Sequence, residues 1–192
     1  MRQSDVMVYL MTGFLDSGKT QFLTFTLEQD YFQIQGKTLL ILCEEGEEEY
    51  DPKEMLKYGV VIEKVEDKED LTEAWLEEMN RKHKPERVVV EYNGMWPVSD
   101  FEKLALPAGW KIEQKIATVD ASTFQMYLTN LKPLFVEMVK GRNWFFLTAV
   151  RTEVRWRDTE EVSRWSAHRQ KLFLKMRTEK STIFLRMRFR MI

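Results

Sequence analysis

The sequence predicts an α/β domain, a mostly parallel sheet flanked by helices, over residues 1–141, with an atypical basic tail over 142–192 that leaves this fold truncated. Three observations carry that expectation. Short β-branched runs alternate with helix-patterned stretches, the order that gives parallel strands joined by helical crossovers. The segment Gly13-Phe14-Leu15-Asp16-Ser17-Gly18-Lys19-Thr20 lies between the first such run and the first helical stretch. Composition changes abruptly at one place: residues 1–141 carry 3 Arg and 13 Lys, whereas 142–192 carry 10 Arg and 3 Lys with no Gly or Pro.

Taken in order, the apolar run Val6–Met11 reads as the first strand and Lys19–Gln29 as the helix after it, in which Phe22, Leu23, Phe25 and Thr26 mix faces and Leu27 returns to the core side. Gly36-Lys37 turns the chain into a second strand, Thr38–Cys43, and Val60–Val65 is a third β-like run beyond an acidic stretch. Leu71, Ala74, Trp75, Leu76 and Met79 recur at helical spacing over Leu71–Asn80, which makes that stretch a helix. Lys82–Glu86 is a polar turn. Arg87–Tyr92 is a continuous apolar strand closed by an acid, as a strand buried on both faces should be, and Ile112–Val119 is another. Phe124–Val139 is amphipathic and interrupted at Pro133.

The glycine segment matches the spacing of a phosphate-binding loop, which places the domain with the P-loop NTPase type. Gly13 and Gly18 let the backbone wrap an anion so that the amides from Asp16 to Thr20, Ser17 among them, point inward. Lys19 is expected to reach the β- and γ-phosphates and the Thr20 hydroxyl to hold Mg²⁺, while the start of the helix adds its positive dipole end.

Phosphate chemistry with a metal calls for oxygen ligands at strand ends facing that loop. Glu44–Asp51 leaves the second strand; Glu45, Glu47, Glu48 and Glu49 read as a solvated acidic loop, and Asp51 as the metal or water-sphere ligand. Glu91 closes a hydrophobic strand in the manner of a Walker B acid, and Gly94, three residues on, offers an amide to the γ-phosphate. Lys19, Asp51 and Glu91 are thus the candidate catalytic residues, and Thr20, Asp51 and Glu91 the candidate Mg²⁺ ligands. Asp120 reads as structural, capping the helix that opens near Ser122.

In this order the motifs resemble those of the CobW-type GTPases, the group that includes the UreG and HypB metallochaperones. The matching residues are Gly13 to Thr20, Glu44-Glu45-Gly46-Glu47 with Asp51, Glu91-Tyr92-Asn93-Gly94-Met95-Trp96-Pro97, and Val119-Asp120-Ala121, in register over residues 6–141. The resemblance implies GTP and Mg²⁺ as cofactors, Lys19, Thr20, Asp51 and Glu91 at phosphate and metal, slow GTP hydrolysis, and a metal-requiring client protein as partner. The family's Cys-x-Cys-Cys motif is absent: between Asp51 and Glu91 there is no Cys and one His, His83. Cys43 reads as a buried strand residue and His83 as a surface turn residue. Two further functions use the same loop: a nucleotide-binding switch without turnover, and a small-molecule kinase, for which Trp96 and Trp110 hint at an aromatic lid.

Beyond Gly141 the family continues with a strand and a base-reading Asn-Lys-x-Asp-like element, where this chain has Arg142-Asn143-Trp144-Phe145-Phe146-Leu147-Thr148-Ala149-Val150. A shifted reading frame accounts for the change. Written as CGG AAC TGG TTT TTC TTA ACC GCT GTG after a G, those nine residues read one base earlier as Ala-Glu-Leu-Val-Phe-Leu-Asn-Arg-Cys. Arg151 onward as CGG ACG GAA continues with Ala-Asp-Gly, and Phe173 to Ile192 can be encoded so that the other frame is acidic like the first half. Loss of one base near Gly141 is therefore the preferred account, and it makes the activity of this chain impaired. The other account is a basic helical extension from Asp158 to Lys180 that binds nucleic acid or membrane. Against it, the charges form no clean face, and Phe184–Ile192 alternates Arg with apolar side chains like a strand without a partner.

Composition narrows the setting. A single Cys excludes an internal disulfide, and neither a membrane-span-length apolar run nor a signal pattern stands in the sequence, so the expected location is cytoplasmic, with no membrane and no nucleic-acid partner. The formal net charge of -2 hides a first part at -10 and a tail at +8.

Overall fold

The computed structural model describes residues 5–44, 46, 49–120, 122–139, 144–150, 175–179 and 182–188. The elements run β1 (Val6–Thr12), α1 (Lys19–Leu27), β2 (Thr38–Leu42), α2 (Pro52–Lys57), β3 (Val60–Lys64), α3 (Glu73–His83), β4 (Arg87–Glu91), α4 (Val98–Lys103), β5 (Trp110–Asp120), α5 (Phe124–Asn130) and α6 (Lys132–Val139), then β6 (Trp144–Val150), β7 (Lys175–Glu179) and β8 (Thr182–Arg188). Five strands in the order β3-β2-β4-β1-β5 form an all-parallel sheet flanked by helices.

The apolar pattern explains why both faces are covered. In β1, Val8 and Leu10 point to one layer and Met11 to the other; in β4, Val88 and Val90 oppose Val89 in the same way. On one face Leu76 and Met79 of α3 and Val98 and Phe101 of α4 close over Val8, Leu10, Leu39 and Ile41. On the other, Leu23 and Leu27 of α1 and Met55 of α2 cover Met11, Leu40 and Val89. A third cluster joins Phe124 of α5 and Phe135 and Met138 of α6 to Phe14, Ala117 and Val119. Each such fully buried side chain contributes about 1.5–3 kcal/mol.

Two short helices escaped the periodicity reading, α2 and α4, each too brief to show a repeat. The helix expected over Phe124–Val139 is two: α5 ends at Asn130 and Pro133 falls in the first turn of α6, the place where its missing N–H costs nothing. His83 is the last residue of α3 and not part of a surface turn; it is half-buried, its Nε2 2.6 Å from Glu63 Oε1. Asp120 does not cap α5, whose N-cap is Thr123 without a side-chain bond; its carboxylate instead organises the turn before the helix, accepting from the amide and hydroxyl of Ser122 at 2.7 Å each.

The sheet continues past residue 141. β6 runs parallel to β5, with Ile116 opposite Trp144, and β8 then β7 extend it antiparallel. This corrects the expectation that the Phe184–Ile192 run has no partner, since Thr182–Arg188 pairs on both sides. Lys175–Glu179, expected as the end of a basic helix if the tail were native, is a strand; the rest of Asp158–Lys180 lies outside the described residues. No helix among the described residues is long and apolar enough to cross a membrane.

Candidate functional site

The site forms where the chain leaves β1 and β4 in opposite directions. These strands are hydrogen-bonded neighbours with Met11 opposite Glu91, yet the chain runs from β1 through α1 toward β2 and from β4 through α4 toward β5. Such a crossing opens a crevice at the carboxyl ends of a parallel sheet.

The Gly13–Thr20 segment leaves the carboxyl end of β1 there, and its neighbours fix its course. Phe14 is buried by stacking on Tyr127, ring centroids 3.9 Å apart, so α5 anchors the loop's first turn. The hydroxyls of Ser17 and Thr118 share a hydrogen bond of 2.8 Å, tying the loop to β5. Asp16 (φ 58°) and Gly18 (φ 81°) adopt the left-handed conformation that reverses the chain into α1. The first N–H groups of that helix have no intrahelical acceptors, which leaves them available to an anion. Gly94 presses on the loop from β4: a Cβ there would lie 2.2 Å from the Gly13 carbonyl oxygen, so only glycine fits.

The charged groups are buried and mutually satisfied. Lys19 is 3% exposed; its ammonium donates to the carbonyls of Gly13 (2.8 Å) and Phe14 (2.9 Å) and pairs with Glu44 at 2.5 Å. The other Glu44 oxygen accepts from the Gly94 amide at 3.3 Å. Glu91, 2% exposed, accepts from the Thr20 hydroxyl at 2.8 Å on one oxygen and from the Tyr50 hydroxyl on the other. Burial pushes the Glu91 carboxyl above its ordinary value, against the pull of the Tyr50 hydrogen bond, the Lys19 charge and the Thr20 hydrogen bond, and nearby Glu44 adds to the rise.

Of the expected residues, Gly13, Ser17, Gly18, Lys19, Thr20, Glu91 and Gly94 come together. Asp16 sits in the same loop with its side chain exposed. Asp51 does something else: it is exposed and N-caps α2, accepting from the amides of Lys53 (2.9 Å) and Glu54 (3.4 Å). Its neighbour Tyr50, a residue the sequence alone does not single out, is the one of that segment that reaches Glu91. Glu44, part of the Glu44-Glu45-Gly46-Glu47 motif but given no role by it, pairs with Lys19; Glu45, Glu47 and Glu48 lie outside the described residues, and Glu49 is exposed. Trp110 is no lid: it starts β5 beside Val6, at the far end of β1 from the loop, and is buried with its indole N–H on Asn80.

Mg²⁺ keeps most of its waters and takes one or two protein oxygens beside phosphate. The Thr20 hydroxyl and the Glu91 carboxylate, already in contact, fit that need without Asp51. A soft-metal site does not fit here. Among the described residues no group of three His, Cys, Asp or Glu could hold a metal, and burial, with Glu91 and Glu44, pushes the Cys43 thiol up and away from thiolate.

Known proteins add nothing to this. No family model matches the chain, and no curated protein or solved structure matches it either.

The Glu91 environment carries a stability prediction. A carboxyl whose folded-state pKa is raised above 4.5 costs no stability below that value, and the cost develops as pH climbs through the folded pKa. Glu91→Gln is therefore expected to raise the melting temperature at about pH 8, by roughly 2–4 °C for each kcal/mol relieved, and to leave it unchanged near about pH 4. Melting curves at the two pH values check this; equal or lower stability of the variant at the higher pH contradicts it.

Proposed function

We propose that this chain is a P-loop nucleotide-binding protein similar to the CobW-type GTPases, one that binds GTP with Mg²⁺ and hydrolyses it slowly in the cytoplasm. The observation that carries the reading is the convergence of Lys19, Thr20, Glu91 and the Gly94 amide at the carboxyl ends of adjacent parallel strands. A cation, a hydroxyl, a carboxylate and amides placed so can bind a triphosphate tail. Lys19 and the α1 amides would take phosphate oxygens, Thr20 and Glu91 would hold the metal, and Gly94 would donate to the terminal phosphate. Bound Mg²⁺ would neutralise charge on the β- and γ-phosphates. Glu91, kept dry and held by Tyr50, orients the attacking water. The link to metal handling for a client protein rests on the resemblance alone, with the thiolate motif absent.

Phosphate release from GTP with and without Mg²⁺ tests this reading. Metal-dependent turnover is expected, and Glu91→Gln should lower it about 10²-fold while changing GTP affinity little. Asp51→Asn should leave turnover within about twofold, because Asn caps a helix as well as Asp does. Unchanged turnover in Glu91→Gln would remove that residue from the mechanism, and binding without turnover would make the protein a switch.

A further inference from the structure

The ammonium of Lys19 has three N–H bonds and three acceptors: the carbonyls of Gly13 and Phe14, and Glu44 at 2.5 Å. Of these only Glu44 is an anion. Its second oxygen takes the Gly94 amide at 3.3 Å. One carboxylate therefore joins the two groups assigned above to the terminal phosphate, and it is buried there, 9% exposed. A solvated loop acid has no reason to leave water for such a position unless the site demands an anion when empty.

We propose that Glu44 is a specificity-determining residue that occupies the terminal-phosphate position, so that a nucleoside diphosphate binds with Glu44 in place and a triphosphate must expel it. The proposal rests on the nucleotide reading of the loop. Two like-charged groups cannot share Lys19 and the Gly94 amide, so the γ-phosphate and the Glu44 carboxylate exclude one another. A diphosphate ends one phosphoryl group short; its β-phosphate takes the place of one loop carbonyl on Lys19, which keeps Glu44 as its other partner. Space for the displaced side chain exists: Glu44 also lines a cavity of about 250 Å³ with Leu42, Cys43, Lys64, Glu66 and Asn93 at the ends of β2 and β3. Lys64 and Asn93 supply polar atoms there. Discrimination by an internal competitor needs no contact with the base, so it operates whatever the nucleotide.

Equilibrium titration of the full chain with GDP and with a non-hydrolysable GTP analogue, in Mg²⁺, tests the proposal. Wild type should prefer GDP by about tenfold. Glu44→Gln, neutral and of the same shape, should tighten the analogue about tenfold, leave GDP within about threefold, and so abolish the preference. Glu44→Asp, one methylene too short to bridge Lys19 and Gly94, should fall between and keeps the proposal testable if the Gln variant is poorly folded. An unchanged ratio in both variants, or an analogue bound more weakly by Glu44→Gln, overturns the role given to Glu44 while leaving nucleotide binding intact. Failure of wild type and variants alike to bind either nucleotide overturns the nucleotide reading itself, and this proposal with it.

Discussion

Replacing Lys19 with alanine is expected to weaken triphosphate binding by at least about 10²-fold, since a charge-assisted hydrogen bond to phosphate in a dry site contributes on the order of 3 kcal/mol. Lys19 is the only side-chain cation of the loop. The same change has a structural cost, because it strands the Glu44 carboxylate in a buried position without its partner. The variant should therefore melt lower than wild type. The two effects separate in the double variant Lys19→Ala, Glu44→Gln, which should recover most of the stability and none of the affinity. Calorimetric titration alongside melting curves provides the check. Affinity that returns together with stability would mean that Lys19 supports only the fold.

Restoring one base before the Arg142 codon is expected to produce the second large effect. In the present frame nothing from Arg142 onward supplies the Asn/Asp element by which CobW-type proteins read guanine, so GTP and ATP should bind weakly and within about tenfold of each other. The restored frame reads Ala-Glu-Leu-Val-Phe-Leu-Asn-Arg-Cys-Ala-Asp-Gly, a strand followed by polar and acidic groups. Both frames place an apolar run at residues 144–147, so a strand beside β5 is available to either. What differs begins at residue 148, where the restored frame has Asn-Arg-Cys in place of Thr148-Ala149-Val150, and continues from Arg151 outside the described residues. The restored protein should prefer GTP over ATP by at least about 10²-fold, because an acid buried against the base edge rejects a base without the matching donors. An equal GTP-to-ATP ratio in the two proteins would contradict the frame-shift account, as would a coding sequence whose codons do not allow the other reading.

The central sheet was legible in the sequence because its strands are short continuous apolar runs: Val88, Val89 and Val90 ending at Glu91 leave little choice of element. The Gly13–Thr20 loop was legible for a different reason, since its spacing is set by backbone geometry and not by packing. Asp51 was misread. Asp51-Pro52 with Glu54 is a helix-start pattern, an N-cap before a proline at the first helical position, but among so many carboxylates the ligand reading prevailed. The roles of Glu44 and Tyr50 were hidden for the complementary reason. Each is one residue of a uniform polar stretch, and what distinguishes them is burial against Lys19 and Glu91, groups distant along the chain. Trp110 shows the same limit: an aromatic suggests a lid or a core equally well until the strand register places it at the far end of β1.

The most direct test of the account is a side-by-side titration of the purified chain with GTP and ATP in the presence and absence of Mg²⁺. Saturable binding of both nucleotides, tightened by Mg²⁺ and lost in Lys19→Ala, is the predicted result. Absence of saturable binding of either nucleotide to the folded protein would contradict it, and Gly13–Thr20 would then be no more than a glycine-rich turn from strand to helix.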